Sequence, residues 1–177
     1  INAGLTKRLG IKAGDRVVAA SALFGSCRWI ISELLPRFGV TTEFVDGRDL
    51  NSWARALSKP AKWVLIESPS NPLLDAVDIA AVARLAHAAG AKLIVDNVFA
   101  SPVLTRPLDH GADWVVYSAT KHMDGQGRVL GGAILGPAAD LVEIFDPYLR
   151  HTGPALSPFN AWVILKGLET IDLRVER

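Results

Sequence analysis

The feature that most constrains this chain is a repeated alternation of short apolar runs with stretches of helical spacing, from one end to the other. The run Arg16-Val-Val-Ala-Ala-Ser21 precedes residues 27–38, where Ile30, Ile31, Leu34 and Leu35 recur at helical spacing. Thr41-Thr-Glu-Phe-Val45 has strand character, and Asp49 is placed to cap a helix through Leu57. Lys62-Trp-Val-Leu-Ile-Glu67 reads as a buried strand closed by Ser68-Pro-Ser-Asn-Pro72, and an Ala-rich helix over 78–89 ends at Gly90. Residues 92–96, 113–118 and 132–135 are further strands, with helices expected over 138–149 and 159–173. Strand and helix alternating with runs this apolar predict an α/β fold, a mostly parallel sheet covered by helices on both faces. No repeat of fixed period and no internal linker divides the 177 residues, so one domain is expected.

Half the residues are hydrophobic and the net charge is +1, with no basic run or stripe, which gives no electrostatic case for nucleic acid. No apolar stretch approaches the roughly 20 residues that cross a bilayer. Cys27 is the only cysteine, which excludes an intrachain disulfide and a cysteine metal site. It reads as a small buried or half-buried thiol, and a reducing, cytoplasmic setting follows. His87, His110, His122 and His151 lack metal-ligand spacing, and no G-x-S-x-G elbow supports serine-hydrolase chemistry. The opening Ile1-Asn2-Ala3-Gly4 carries neither an initiator Met nor a signal peptide, and reads as cut from a longer chain.

In open α/β sheets ligands bind beyond the carboxyl ends of the strands. Four polar clusters fall there: Glu67-Ser-Pro-Ser-Asn71, Asp96-Asn97, Ser118-Ala-Thr-Lys121, and the turn Phe24-Gly25-Ser26. Ser118 and Thr120 precede Lys121 directly after an apolar strand, an arrangement suited to a phosphate and an imine-forming amine. A solvated loop lysine with two turn-forming hydroxyls fits the same residues. Asp96 ends an apolar strand, where a carboxylate is costly unless paired. A protonated pyridine nitrogen, a helix cap or a loop acceptor would each serve as its partner. The glycines around Gly125-Gln-Gly-Arg128 and Gly131-Gly132 match no nucleotide-binding pattern, and read as places where backbone passes close to a neighbouring element.

Read in order, these segments resemble the Cys/Met-metabolism family of pyridoxal-5′-phosphate (PLP) enzymes. The resemblance lies in Glu67-Ser-Pro-Ser-Asn-Pro72, Val95-Asp-Asn-Val-Phe-Ala-Ser-Pro102, Gly111-Ala-Asp113, Tyr117-Ser-Ala-Thr-Lys-His122 and Gly131-Gly132, covering nearly the whole chain. It implies PLP fold type I, with residues 1–177 the central part of the cofactor domain, and an N-terminal arm and C-terminal small domain outside this stretch. It implies that Lys121 is the catalytic residue, holding the cofactor as a Schiff base and moving protons. Asp96 would meet the pyridinium nitrogen, Ser118 and Thr120 the phosphate, and Asn71 the ring's 3-hydroxyl. Phe24 stands where many members stack a Tyr on the ring; it keeps the stacking face and lacks the phenol.

Within the family, Ala22-Leu-Phe-Gly-Ser-Cys27, Asp124-Gly-Gln-Gly-Arg128 and Thr152-Gly-Pro-Ala-Leu-Ser-Pro-Phe-Asn160 are most similar to O-succinylhomoserine sulfhydrylases. The implied reaction exchanges the γ-acyloxy group of an O-acyl-homoserine for sulfide, giving homocysteine. A γ-lyase acting on cystathionine or methionine, and a non-catalytic scaffold, are the alternatives. Small-molecule substrates, no nucleic acid, no membrane, no metal and a homotetramer complete what the resemblance implies.

Overall fold

The computed structural model describes Gly10 and residues 12–176; the opening read above, Ile1 to Gly4, lies outside the described residues. Strands β1 (Arg16–Ala20), β2 (Thr41–Val45), β3 (Trp63–Glu67), β4 (Lys92–Asp96), β5 (Trp114–Ser118) and β6 (Gly132–Leu135) form one sheet, ordered β2-β1-β3-β4-β5-β6. β1 to β5 pair in parallel, and β6 pairs antiparallel to β5. The exception has a simple cause. A parallel return needs a crossover helix, whereas the connection from β5 to β6 is all turn and coil. Strand order reverses direction between β1 and β3, which makes their carboxyl ends the switch point where such folds bind ligands.

Helix α1 (Gly25–Trp29) continues through a π-helical turn at Ile30–Leu34 and a 3-10 turn at Leu35–Phe38. Pro36 has no N–H to continue the ladder, and Gly39 closes it at φ 76°. Helix α2 (Leu50–Ala56) starts where the Asp49 carboxylate accepts from the Asn51 and Ser52 N–H groups, the cap expected from the sequence. In α3 (Ile79–Ala88) Asp78 accepts from the Ala81 N–H, and Gly90 follows at φ 73°. A short helix, α4 (Ser101–Leu104), follows β4. Beyond β6, α5 (Ala138–Asp140) runs through Leu141–Phe145 into α6 (Asp146–Thr152).

The single helix expected over 159–173 is instead two, α7 (Pro158–Leu168) and α8 (Ile171–Val175). The Gly167 carbonyl accepts from the Thr170 N–H at 3.3 Å and from Arg174 Nη2 at 2.6 Å. A regular helix would give that carbonyl to Ile171 instead, so the rod breaks there.

One sheet face carries the main core: Val18, Val64, Ile66, Leu93, Val95, Val115 and Tyr117 meet Trp53, Val82, Ala86, Val163 and Ile164 from α2, α3 and α7. The other face is covered more thinly than the sequence reading expected. The α1 segment covers Val17 and Ala19 at one margin, and Trp114 packs edge-on to Phe145 at 5.0 Å at the other. Leu65, Ile94 and Val116 between them stay half-buried.

Trp53 is 0% exposed and its indole N–H donates to the Gly47 carbonyl at 2.9 Å. Trp53→Ala is expected to cost about 3–5 kcal/mol in urea unfolding, with a lower midpoint at unchanged slope. Trp29→Ala, at an exposed position, is expected to stay within about 0.5 kcal/mol of the parent.

Candidate active site

Alternation along the strands builds the site. Glu67 and Asp96 are register partners at the ends of β3 and β4, so both project from the thinly covered face. Asp96 also aligns with Val116 of β5, which puts Ser118 on the same face two residues further out, about 7 Å beyond. The turn after β1 brings Phe24 alongside. Together with Asn71, Thr120 and Lys121 these residues line one cleft of about 900 Å³, within the range of sites that enclose small ligands.

All six candidate residues read from the sequence therefore line one cleft: Phe24, Asn71, Asp96, Ser118, Thr120 and Lys121. Lys121 is exposed, on a tight turn where its N–H donates to the Ser118 carbonyl at 3.1 Å and its own carbonyl accepts from Gly125 at 2.7 Å. The Thr120 hydroxyl donates to the Gly131 carbonyl at 3.3 Å and accepts from the Gly131 N–H at 3.0 Å. It thus ties the turn to the start of β6, and contact with a phosphate requires it to change acceptor. Asn71 and Phe24 are both exposed, Phe24 by 48%.

Asp96 is half-buried, and among the described residues its one hydrogen bond comes from the Val98 N–H at 3.1 Å. Burial raises its carboxyl above the ordinary value, and the Val98 bond only partly offsets this. No ion pair among the described residues engages it. A carboxylate in this position is suited to a cationic ring nitrogen. With the Lys121 amine and the Ser118 hydroxyl in the same cleft, the donor set fits PLP.

Among the lining residues without a role in the sequence reading are Glu67 and Arg174. Glu67 is buried, accepts from the Phe24 and Asn71 N–H groups, and has its carboxyl raised by burial and the nearby charge of Asp96. It shares a face with Asp96, which becomes readable only with the register of β3 against β4. Arg174 reaches back from α8 to donate from Nη1 to the His122 carbonyl at 2.7 Å, 52 positions away. Its guanidinium lies over Gly125, where a Cβ would meet it at 2.1 Å. Nothing local in the sequence marks that contact. The glycines do serve close approach: a Cβ on Gly131 would lie 2.6 Å from Ile164. Burial, then the charges of Asp96 and Glu67, push the Cys27 thiol up.

Residues 5–177 match the family described as Cys/Met metabolism PLP-dependent enzyme. The chain belongs to that family. It is 62% identical over 164 residues to the O-succinylhomoserine sulfhydrylase of Mycobacterium tuberculosis, and 46% identical over 164 residues to that of Pseudomonas aeruginosa. Each match covers 93% of this chain and 40% of the relative, so the chain spans about two fifths of those enzymes. Among solved structures it is similar to apo CalE6, a methionine gamma lyase from Micromonospora echinospora, with a TM-score of 0.87 and 37% identity. That match covers 96% of this chain and 46% of the other. The fold of this PLP-dependent family, a mostly parallel sheet with helices, is the one described above.

The raised carboxyl of Asp96 has a sign that is testable without cofactor. The folded protein keeps that proton to higher pH than the unfolded chain, whose Asp titrates near about 3.9. Stability from this group is therefore present below about 3.9 and falls as pH rises through the folded value. In thermal unfolding of the PLP-free protein, Asp96→Asn is expected to melt above the parent at pH 7. The difference should vanish below about pH 3.9.

Proposed function

We propose that the protein containing this chain is a PLP-dependent γ-replacement enzyme. It exchanges the succinyloxy group of O-succinylhomoserine for sulfide, giving homocysteine and succinate. The observation that carries the chemistry is the half-buried Asp96 carboxylate, free of any ion pair among the described residues, in the same cleft as the Lys121 amine. Similarity to two O-succinylhomoserine sulfhydrylases supports the substrate. PLP, when bound, supplies the electron sink that stabilises a carbanion next to its ring.

The chain's own residues do the rest. Lys121 would hold the cofactor through Nζ, and then take the proton from the substrate Cα, relay protons at Cβ and return them once the C–S bond has replaced the C–O bond. Asp96 would bind the ring nitrogen and keep it protonated. Ser118, with Thr120 once its hydroxyl turns from Gly131, would bind the phosphate. Phe24 would stack on the ring, and Asn71 would orient it at the 3-hydroxyl. Phe24 has no acidic proton to lend, which leaves proton transfer to Lys121. Residues 1–177 are read as the central part of the cofactor domain of a homotetrameric, cytoplasmic enzyme. No helix among the described residues is long and apolar enough to cross a membrane.

The similarity to a methionine gamma lyase supports one rival, elimination to a ketoacid and ammonia. Incubation of the full-length protein with PLP, O-succinylhomoserine and sulfide is expected to yield homocysteine in excess of α-ketobutyrate; the reverse ratio selects the lyase. Lys121→Ala is expected to abolish the bound-cofactor absorbance band and to lower turnover by at least about 10²–10⁴-fold. A variant that keeps both removes Lys121 from the mechanism.

A further inference from the structure

Glu67 is a buried ionisable group that lines the cleft and that the mechanism above does not use. It is 5% exposed, stands at the end of β3 beside Asp96, and is engaged by no ion pair among the described residues. A buried carboxylate without a counter-charge is costly, so its hydrogen bonds decide what it is for. One oxygen, Oε1, accepts from the Asn71 N–H at 2.9 Å; the other, Oε2, accepts from the Phe24 N–H in a short bond. Those two donors lie in separate loops, after β3 and after β1, and both side chains are exposed. Neither loop is held at this point by burial of the residue itself.

We propose that Glu67 is a positioning residue: its two carboxylate oxygens fix Phe24 and Asn71 at a set separation in the cleft that Asp96 lines. The proposal rests on the reading of Phe24 and Asn71 as ring contacts. A carboxylate suits the task because it accepts at both ends and donates at neither. Gln keeps one acceptor and turns an NH₂ toward the other N–H, releasing one loop. Asp keeps both acceptors on a stem one methylene shorter, and reaches one loop at a time.

The test is a double-mutant cycle read by PLP affinity in the full-length protein, with no turnover needed. Cofactor titrations would compare the parent, Glu67→Gln, Phe24→Ala, Asn71→Ala, and Glu67→Gln combined with each alanine variant. Glu67→Gln alone is expected to weaken PLP binding about tenfold, the scale of one unsatisfied hydrogen-bonding group. Its melting point without cofactor should stay close to the parent's. On the Phe24→Ala or Asn71→Ala background the same change should cost less than about threefold, since a residue acting through another adds little once that other is gone.

An unchanged affinity in Glu67→Gln, or a tenfold loss that persists undiminished on both alanine backgrounds, overturns the proposal. Glu67→Asp is the second variant, with the same expectation, should the Gln form not accumulate. Failure of both to fold assigns Glu67 to the fold rather than to the site, and also overturns it. If the parent itself binds no PLP, the proposed function fails first, and that outcome is distinct from all of these.

Discussion

Side-by-side alignment of Glu67 and Asp96 at the ends of β3 and β4 is the constraint around which the site is arranged. Neighbouring strands lie under 5 Å apart, so two same-face carboxylates at one level repel, and burial adds to the penalty. Both carboxyls are raised in consequence, Glu67 by burial and then by the charge of Asp96, and Asp96 by burial. The two acids resolve this differently. Glu67 uses both oxygens on backbone N–H groups, while Asp96, among the described residues, takes only the Val98 N–H and lines the cleft. Among the described residues one carboxylate is satisfied at both oxygens, and the other keeps accepting capacity that faces the cleft.

The turn carrying Lys121 is held by a comparable economy of contacts from outside. Gly167 of α7 sits so close that a Cβ there would fall 2.0 Å from the Met123 carbonyl. Arg174 adds hydrogen bonds to the His122 and Gly167 carbonyls, and Asp124 folds the next residues by accepting from the Arg128 N–H at 2.6 Å and its Nε at 2.8 Å. A lysine that is exposed at its tip is thereby fixed at its backbone. The break between α7 and α8 belongs to the same arrangement, since the Gly167 carbonyl that leaves the helical ladder is the one Arg174 uses.

Much of this was legible in the amino-acid order, for reasons that differ from residue to residue. Strands β1, β3, β4 and β5 were visible because their apolar runs end in charge or turn residues after about five positions, β2 by its β-branched and aromatic residues, and Asp49, Asp78 and Gly90 marked helix ends by local hydrogen bonding and φ alone. The four polar clusters were visible because a parallel sheet gathers strand ends on one edge, and the resemblance to the family singled out the six candidate residues within them. What stayed hidden is non-local. The division of 159–173 depends on a guanidinium reaching across to a carbonyl it meets only in the folded chain, and the direction of β6 depends on what the preceding turn does not contain. Glu67 was quoted in a motif without a role, because its phase relative to Asp96 acquires meaning only once the register of β3 and β4 is known.

The unequal covering of the two sheet faces bears on why the cleft is where it is. A face packed as densely as that of Val64, Leu93 and Val115 leaves no room for a flat heterocycle, and inserting one would strain a core already at crystal-like density. On the opposite face, α1 and the segment after α5 reach only the margins, and Leu65, Ile94 and Val116 form a half-exposed strip that leads to Asp96 and Ser118 at its open end. Sequence alternation decides which side chains look that way. Had β4 been shifted by one residue, Asn97 rather than Asp96 would project into the cleft and the acid would be driven into the core. Asn97 is instead fully buried, its Nδ2 donating to the Ser101 and Thr105 carbonyls with the Tyr117 hydroxyl 2.9 Å away. An adjacent pair, Asp then Asn, thus divides one strand end between the cleft on one face and anchorage on the other.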